Sequence, residues 1–175
     1  MVNKVLVAID GSDHAGKAVA LGADIAAKYD AELILFHVLL HQELPRELQR
    51  LAEAEHLVAG DGRPMASSGL PVADLGTYLN LVDGNATLTE DALRLIGKKI
   101  LENAENVAHG HGAKNVTKRV EGGNPVDTIL EVAQSEKVDM IVTGARGLSN
   151  LKSIFAGSVS QKLAQRSPVT CVTVH

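Results

Sequence analysis

Apolar positions along this chain alternate between two periodicities. Lys4-Val5-Leu6-Val7-Ala8-Ile9 is continuously apolar after its lysine and stops at Asp10-Gly11-Ser12, the pattern of a strand buried on both faces, as parallel-sheet strands are. Ala15, Ala18, Val19, Gly22, Ala23 and Ala26 then recur at helical spacing until Tyr29-Asp30, and Ser12 or Asp13 is placed to cap that segment. A second apolar run follows, Glu32-Leu33-Ile34-Leu35-Phe36-His37-Val38. Strand, helix and strand in this order need a right-handed crossover and open an α/β fold.

The middle of the chain is less regular. Residues 43–57 carry Leu44, Leu48, Leu51 and Glu55 in a charged, leucine-containing helical pattern. Between residues 58 and 88, Gly60, Gly62, Pro64, Gly69, Pro71, Gly76 and Gly84 stand among small and polar residues, a composition that predicts a flexible insertion. A further helix is predicted from Thr89-Glu90-Asp91 through Leu93, Ile96, Ile100, Ala104 and Val107 to Gly110 or Gly112. Residues 116–120 read as a strand ending in Glu121-Gly122-Gly123. Asn124-Pro125 then supplies an N-cap and an N1 proline for a helix with Ile129, Leu130, Val132 and Ala133. Val138-Asp139-Met140-Ile141-Val142-Thr143 is the fourth strand. A glycine-containing loop, a helix over residues 158–165 and a last strand over 169–174, after Pro168, complete the order β-α-β-(insertion)-α-β-α-β-α-β.

Composition narrows the function. With 175 residues the chain suits one domain, and 45% hydrophobic against 22% charged residues is globular usage. Seventeen Lys and Arg against 21 Asp and Glu give a formal charge of -4, and no basic block offers the surface that duplex binding needs. Aromatics at 2% and the absence of Trp leave no set of stacking platforms for single-stranded nucleic acid. The lone Cys171 forms no internal disulfide, and no leader pattern is visible, so a reducing cytoplasm is the expected location. No segment reaches the roughly 18 to 20 apolar residues that span a bilayer.

In open parallel sheets ligands bind beyond the carboxyl ends of the strands. Three segments end there: Ala8-Ile9-Asp10, His37-Val38 and Thr143-Gly144. After Thr143 the chain reads Gly144-Ala145-Arg146-Gly147, then nine residues, then Gly157-Ser158-Val159-Ser160 at a helix start. Gly144 and Gly147 let backbone amides approach an anion, and the first amides of the helix after Gly157 are free to bind one. Ser158 and Ser160 add hydroxyl donors. Arg146 either pairs with phosphate oxygens or is solvated. Asp10 has the chemistry to accept from a ribose hydroxyl or to sit near a metal carried by the phosphates.

Glycine, two residues, glycine, nine residues and Gly-Ser, here Gly144, Gly147, Gly157 and Ser158, resembles the pattern of the nucleotide-binding members of the universal stress protein family. The opening residues 5–12 and the closing Pro168-Val169-Thr170-Cys171-Val172-Thr173-Val174 are similar as well, so the resemblance covers most of the chain outside residues 42–88. It implies one domain over residues 1–175, with an insertion at about 42–88. It also implies a five-stranded parallel sheet of order 3-2-1-4-5 with helices on both faces, the adenine-nucleotide α-hydrolase-like architecture. The implied ligand is ATP, or ADP or AMP, with or without Mg. Ala8, Ile9, Asp10 and Val38 would line the adenine and ribose pocket. Gly144, Arg146 and Gly147 would approach ribose and phosphates, and Gly157, Ser158, Val159 and Ser160 would hold the phosphates. Homodimerisation through the edge strand 169–174 is also implied, and a regulatory protein partner is expected if nucleotide occupancy changes the surface the chain presents.

Other chemistry-bearing residues read as structural. His109-Gly110-His111-Gly112 stands at a helix end and serves capping better than a metal or nucleotidyl-transfer site. Asp10, Ser12, Asp13 and His14 are too close in sequence for triad geometry, and capping explains Ser12 or Asp13. Cys171, mid-strand, reads as an inert buried thiol. The expected function is a nucleotide-dependent stress-response or regulatory protein, at most a slow ATPase. The competing readings are an ATP-dependent enzyme with residues 58–88 as its lid, and a partner-binding module that no longer uses nucleotide.

Overall fold

The computed structural model describes residues 1–39, 90–147 and 158–175. Its elements are β1 (Lys4–Ala8), α1 (Asp13–Tyr29), β2 (Glu32–Leu39), α2 (Glu90–Gly110), β3 (Asn115–Gly122), α3 (Pro125–Ser135), β4 (Met140–Gly144), α4 (Ser158–Arg166) and β5 (Thr170–Val174). The strands form one parallel sheet of order β3-β2-β1-β4-β5, as expected. The helical pattern at 43–57, the glycine-rich stretch at 58–88 and Gly157 lie outside the described residues.

Period-two alternation divides the sheet between two cores. Val5, Val7, Ile9, Leu33, Leu35 and Val142 face α1 and α2, where Ala15, Ala18, Val19, Ala23, Ile100 and Leu101 cover them. Leu6, Ile34, Phe36, Val38 and Ile141 face α3 and α4, against Val126, Ile129, Val132, Ala133 and Leu163. Helices thus lie on both faces. The small residues of α1 let it sit close to β1: a side chain begun at Gly22 would meet Val7 Cγ2 at 2.5 Å. Ser12 caps α1, accepting from the Ala15 amide, and Asp30 ends the helix in the left-handed region at φ 53°. Asn124 caps α3 by accepting from the Val126 and Asp127 amides, with Pro125 at its first turn.

Two expectations are corrected. Val107 was placed on the apolar stripe of α2 but is 40% exposed, while Leu101 and Ala108 are buried beside Ile96, Ile100 and Ala104. A stripe counted in threes and fours can step to either side of the helix, and the sheet selects the row that continues through 101, 104 and 108. The fourth strand begins at Met140 rather than Val138, because the Asp139 amide turns to the Lys4 carbonyl and its carboxylate accepts from the amides of Asn3 at 2.7 Å and Lys4 at 3.0 Å.

Candidate functional site

The carboxyl ends of β1, β2 and β4 converge, and the loops after β1 and β4 are joined. Gly11 turns the chain at φ 89°, a conformation that favours glycine, immediately after Asp10. The Ser12 amide donates to Asp10 Oδ1 at 3.0 Å, holding the half-buried carboxylate back over the turn. The Ser12 hydroxyl accepts from the Ala15 amide at 3.2 Å and donates to the Arg146 carbonyl at 3.2 Å. One hydroxyl therefore caps α1 and fastens the β4 loop to the β1 loop.

Glycines permit this approach. A Cβ at Gly147 would collide with Asp10 Oδ2, so the carboxylate rests directly on the backbone of the β4 loop. A Cβ at Gly144 would lie 2.8 Å from the His14 carbonyl carbon and 2.9 Å from the Ala15 nitrogen, where β4 meets the first turn of α1. Between them Ala145 is fully buried, and its amide donates to the Val174 carbonyl at 2.7 Å. Arg146 and Gly147 are exposed. The arrangement sets a carboxylate beside an exposed glycine backbone, with the N-terminal turns of two helices near the same sheet end: one acceptor for hydroxyls, and amides for an anion.

The universal stress protein family matches this chain over residues 1–66 and 68–175. The chain belongs to that family. Universal stress protein YxiE of Bacillus subtilis is 32% identical over 171 residues, covering 98% of this chain and 96% of the relative. Universal stress protein Rv1636 of Mycobacterium tuberculosis is 31% identical over 172 residues, covering 98% and 94%. Among solved structures, a universal stress protein crystallised in complex with cAMP matches with a TM-score of 0.60 at 25% identity, covering 99% of this chain and 97% of its own.

The other expected site residues of this universal stress protein fall into three groups. Ala8, Ile9 and Val38 stand at the ends of β1 and β2, with Ile9 and Val38 buried and Ala8 half-buried. Ser158 opens α4, Val159 is half-buried in the α3 and α4 core, and Ser160 is buried with its hydroxyl donating to the Ala145 carbonyl at 3.4 Å. Gly157 lies outside the described residues. The Ser160 hydroxyl thus ties α4 to the β4 loop, a role that spacing alone did not suggest.

The sequence puts His37-Val38 at the ligand end of the sheet but assigns the imidazole no role. His37 is 6% exposed, and its Nδ1 lies 2.8 Å from the Ile9 carbonyl. Because a carbonyl only accepts, Nδ1 carries the hydrogen. Burial holds this imidazole below the ordinary histidine value of 6.5, against the opposing effects of the Ile9 bond and the Asp10 charge, so the ring is neutral at pH 7. The available signal was a single imidazole inside the otherwise apolar run from Leu33 to Leu39.

The remaining candidates occupy structural positions. His109 Nδ1 bonds to the Ala113 carbonyl at 2.9 Å and His111 Nδ1 to Asp24 Oδ1 at 2.8 Å, closing the end of α2 against α1. Among the described residues no group of three or more His, Cys, Asp or Glu could hold a metal ion. Cys171 is half-buried rather than buried, since β5 is an edge strand, and burial pushes its thiol above 9.0 despite the opposing Ser167 bond. No described helix is long and apolar enough to cross a membrane.

Proposed function

We propose that this universal stress protein binds an adenine nucleotide, ATP or its relatives ADP and AMP, across the carboxyl ends of β1, β2 and β4, and that occupancy of the site regulates a protein partner. The observation that carries the reading is the contact of the Asp10 carboxylate with Gly147, which puts a ribose-hydroxyl acceptor beside a glycine backbone suited to phosphate. The match to a universal stress protein in complex with cAMP supports an adenine ligand. Ala8 and Val38 would flank the base, Arg146 and Gly147 the ribose and phosphates, and Gly157 with the first turn of α4 the phosphates. Asp10 is a single carboxylate, so Mg²⁺ at this site would arrive on the nucleotide phosphates, as that ion usually does. The reading assigns no catalytic residue.

Calorimetric titration of ATP, AMP and cAMP into wild type and Gly147→Val tests it. A valine side chain would displace the Asp10 carboxylate, and losing a charged acceptor weakens binding roughly 10- to 100-fold. Absence of binding by folded wild type, or equal binding by the variant, rejects the site.

The half-exposed strand β5 is the surface we assign to self-association, because among the described residues no further strand pairs its outer edge, and such an edge invites a second copy. Sedimentation of the wild type is expected to give a dimer. A monomer at micromolar concentration would remove that assignment.

A further inference from the structure

Every residue of β2 from Leu33 to Leu39 is buried, and His37 is the one that carries hydrogen-bonding atoms in its side chain. The β1–β2 ladder ends with Ala8 opposite Phe36. One residue further, the Ile9 amide still donates to the Phe36 carbonyl at 2.8 Å, while the Ile9 carbonyl is met by a side chain, His37 Nδ1, also at 2.8 Å. That carbonyl belongs to the peptide joining Ile9 to Asp10, so the ring sets the plane from which the Asp10 side chain departs. The next amides turn sharply through Gly11 into Ser12, whose own amide holds Asp10 Oδ1.

The ring is held from the other side by α2. A Cβ at Gly97 would lie 2.8 Å from His37 Cδ2 and 3.4 Å from Nε2, and 3.4 Å from Leu39 Cδ2. Glycine at that helical position leaves the volume the imidazole occupies, and alanine would press the ring toward Ile9. Leucine at position 37 would suit the apolar wall equally well, but it would leave the buried Ile9 carbonyl without this donor. The bond is therefore the feature that leucine packing does not explain.

We propose that His37 is a positioning residue of the nucleotide site: its Nδ1–H fixes the Ile9–Asp10 peptide and so aims the Asp10 carboxylate at the ribose, with Gly97 making room for the ring. This role rests on the nucleotide reading above, and it extends the site one layer behind the residues that would touch ligand.

Calorimetric titration of AMP into wild type, His37→Leu and His37→Asn, with thermal midpoints measured alongside, separates positioning from packing. Leucine removes the donor and keeps the volume, and is expected to weaken AMP binding about tenfold, because a misaimed Asp10 gives up much of a charged hydrogen bond to the ribose. Asparagine carries an amide nitrogen near the place of Nδ1 and is expected to bind within about threefold of wild type, although its smaller, polar side chain melts below the leucine variant. Affinity and melting temperature would then rank the two variants in opposite orders. Affinity that follows melting temperature, or wild-type affinity in His37→Leu, overturns the positioning role alone. Failure of folded wild type to bind AMP removes both the nucleotide reading and this role. Should neither variant fold, ¹⁵N spectra of the wild-type imidazole decide: an Nδ1-protonated ring whose signal shifts on adding AMP supports the role, and an Nε2-protonated or AMP-insensitive ring overturns it.

Discussion

The two ends of the parallel sheet are built from different materials. At the amino end, long charged side chains meet one another: Lys4 reaches Glu32 at 3.0 Å and Glu136 at 3.2 Å. Asp139 adds a carboxylate that accepts from the backbone amides of Asn3 and Lys4, where the first strand begins. At the carboxyl end the ties are short. A serine hydroxyl joins the β1 and β4 loops, a backbone turn holds the Asp10 carboxylate, an imidazole meets the Ile9 carbonyl, and Gly144 and Gly147 leave backbone where side chains would otherwise stand. Partly exposed ion pairs contribute only about 0 to 1 kcal/mol each, so the amino end gains mainly register and closure from them. The lesson is that glycine and a few small hydrogen-bonding groups at one end keep the close approach that a ligand requires, while the other end turns its charges on itself.

Substitutions can break this contrast, beginning with the largest effect. Gly147→Val, tested above, should sharply lower nucleotide affinity and leave the amino-end ion pairs in place. Ser12→Ala comes next, because it removes both a helix cap and the tie to Arg146. We expect a loss of about 1 kcal/mol in urea unfolding, with a severalfold weaker nucleotide site. An unchanged affinity would show that the two loops hold their places without the hydroxyl.

The smallest effect at neutral pH is expected from Asp139→Asn. Bonds from the Asn3 and Lys4 amides depress the Asp139 carboxyl below its ordinary value of 3.8 in the folded chain. A depressed carboxyl contributes stability above its unfolded value, and that contribution is lost as pH falls through the folded one. Wild type should therefore lose thermal stability across the acid range more steeply than Asp139→Asn, while AMP affinity at pH 7 is the same for both. Parallel acid profiles would assign Asp139 no electrostatic part, and altered affinity would show that the two ends are coupled.

Much of the architecture was legible in the residues because strong local patterns agree with one another. Ser12, Asn124 and Pro125 mark helix starts by chemistry that acts within four residues, and the structure puts α1 and α3 where they indicate. Aliphatic runs such as Val5-Leu6-Val7 are buried on both faces, as parallel strands must be. The apolar stripe of α2 was read one row off at Val107, since helical spacing leaves neighbouring rows nearly equivalent until a sheet chooses one. Glycine spacing around Gly144 and Gly147 marked the loop that carries the candidate site. It carried no information that Ser12 would bind the Arg146 carbonyl or that Ser160 would turn to Ala145.

By itself the sequence determined the α/β class, the alternation of elements and the family, because these follow from periodicity, capping and a motif that is continuous or nearly so. Tertiary structure decided which atoms meet: Asp10 on Gly147, Ser12 on Arg146, His37 on Ile9 and against Gly97. Those contacts join segments far apart in the chain. Their existence depends on strand register and on how closely each helix approaches the sheet, to within fractions of an ångström that no local pattern encodes.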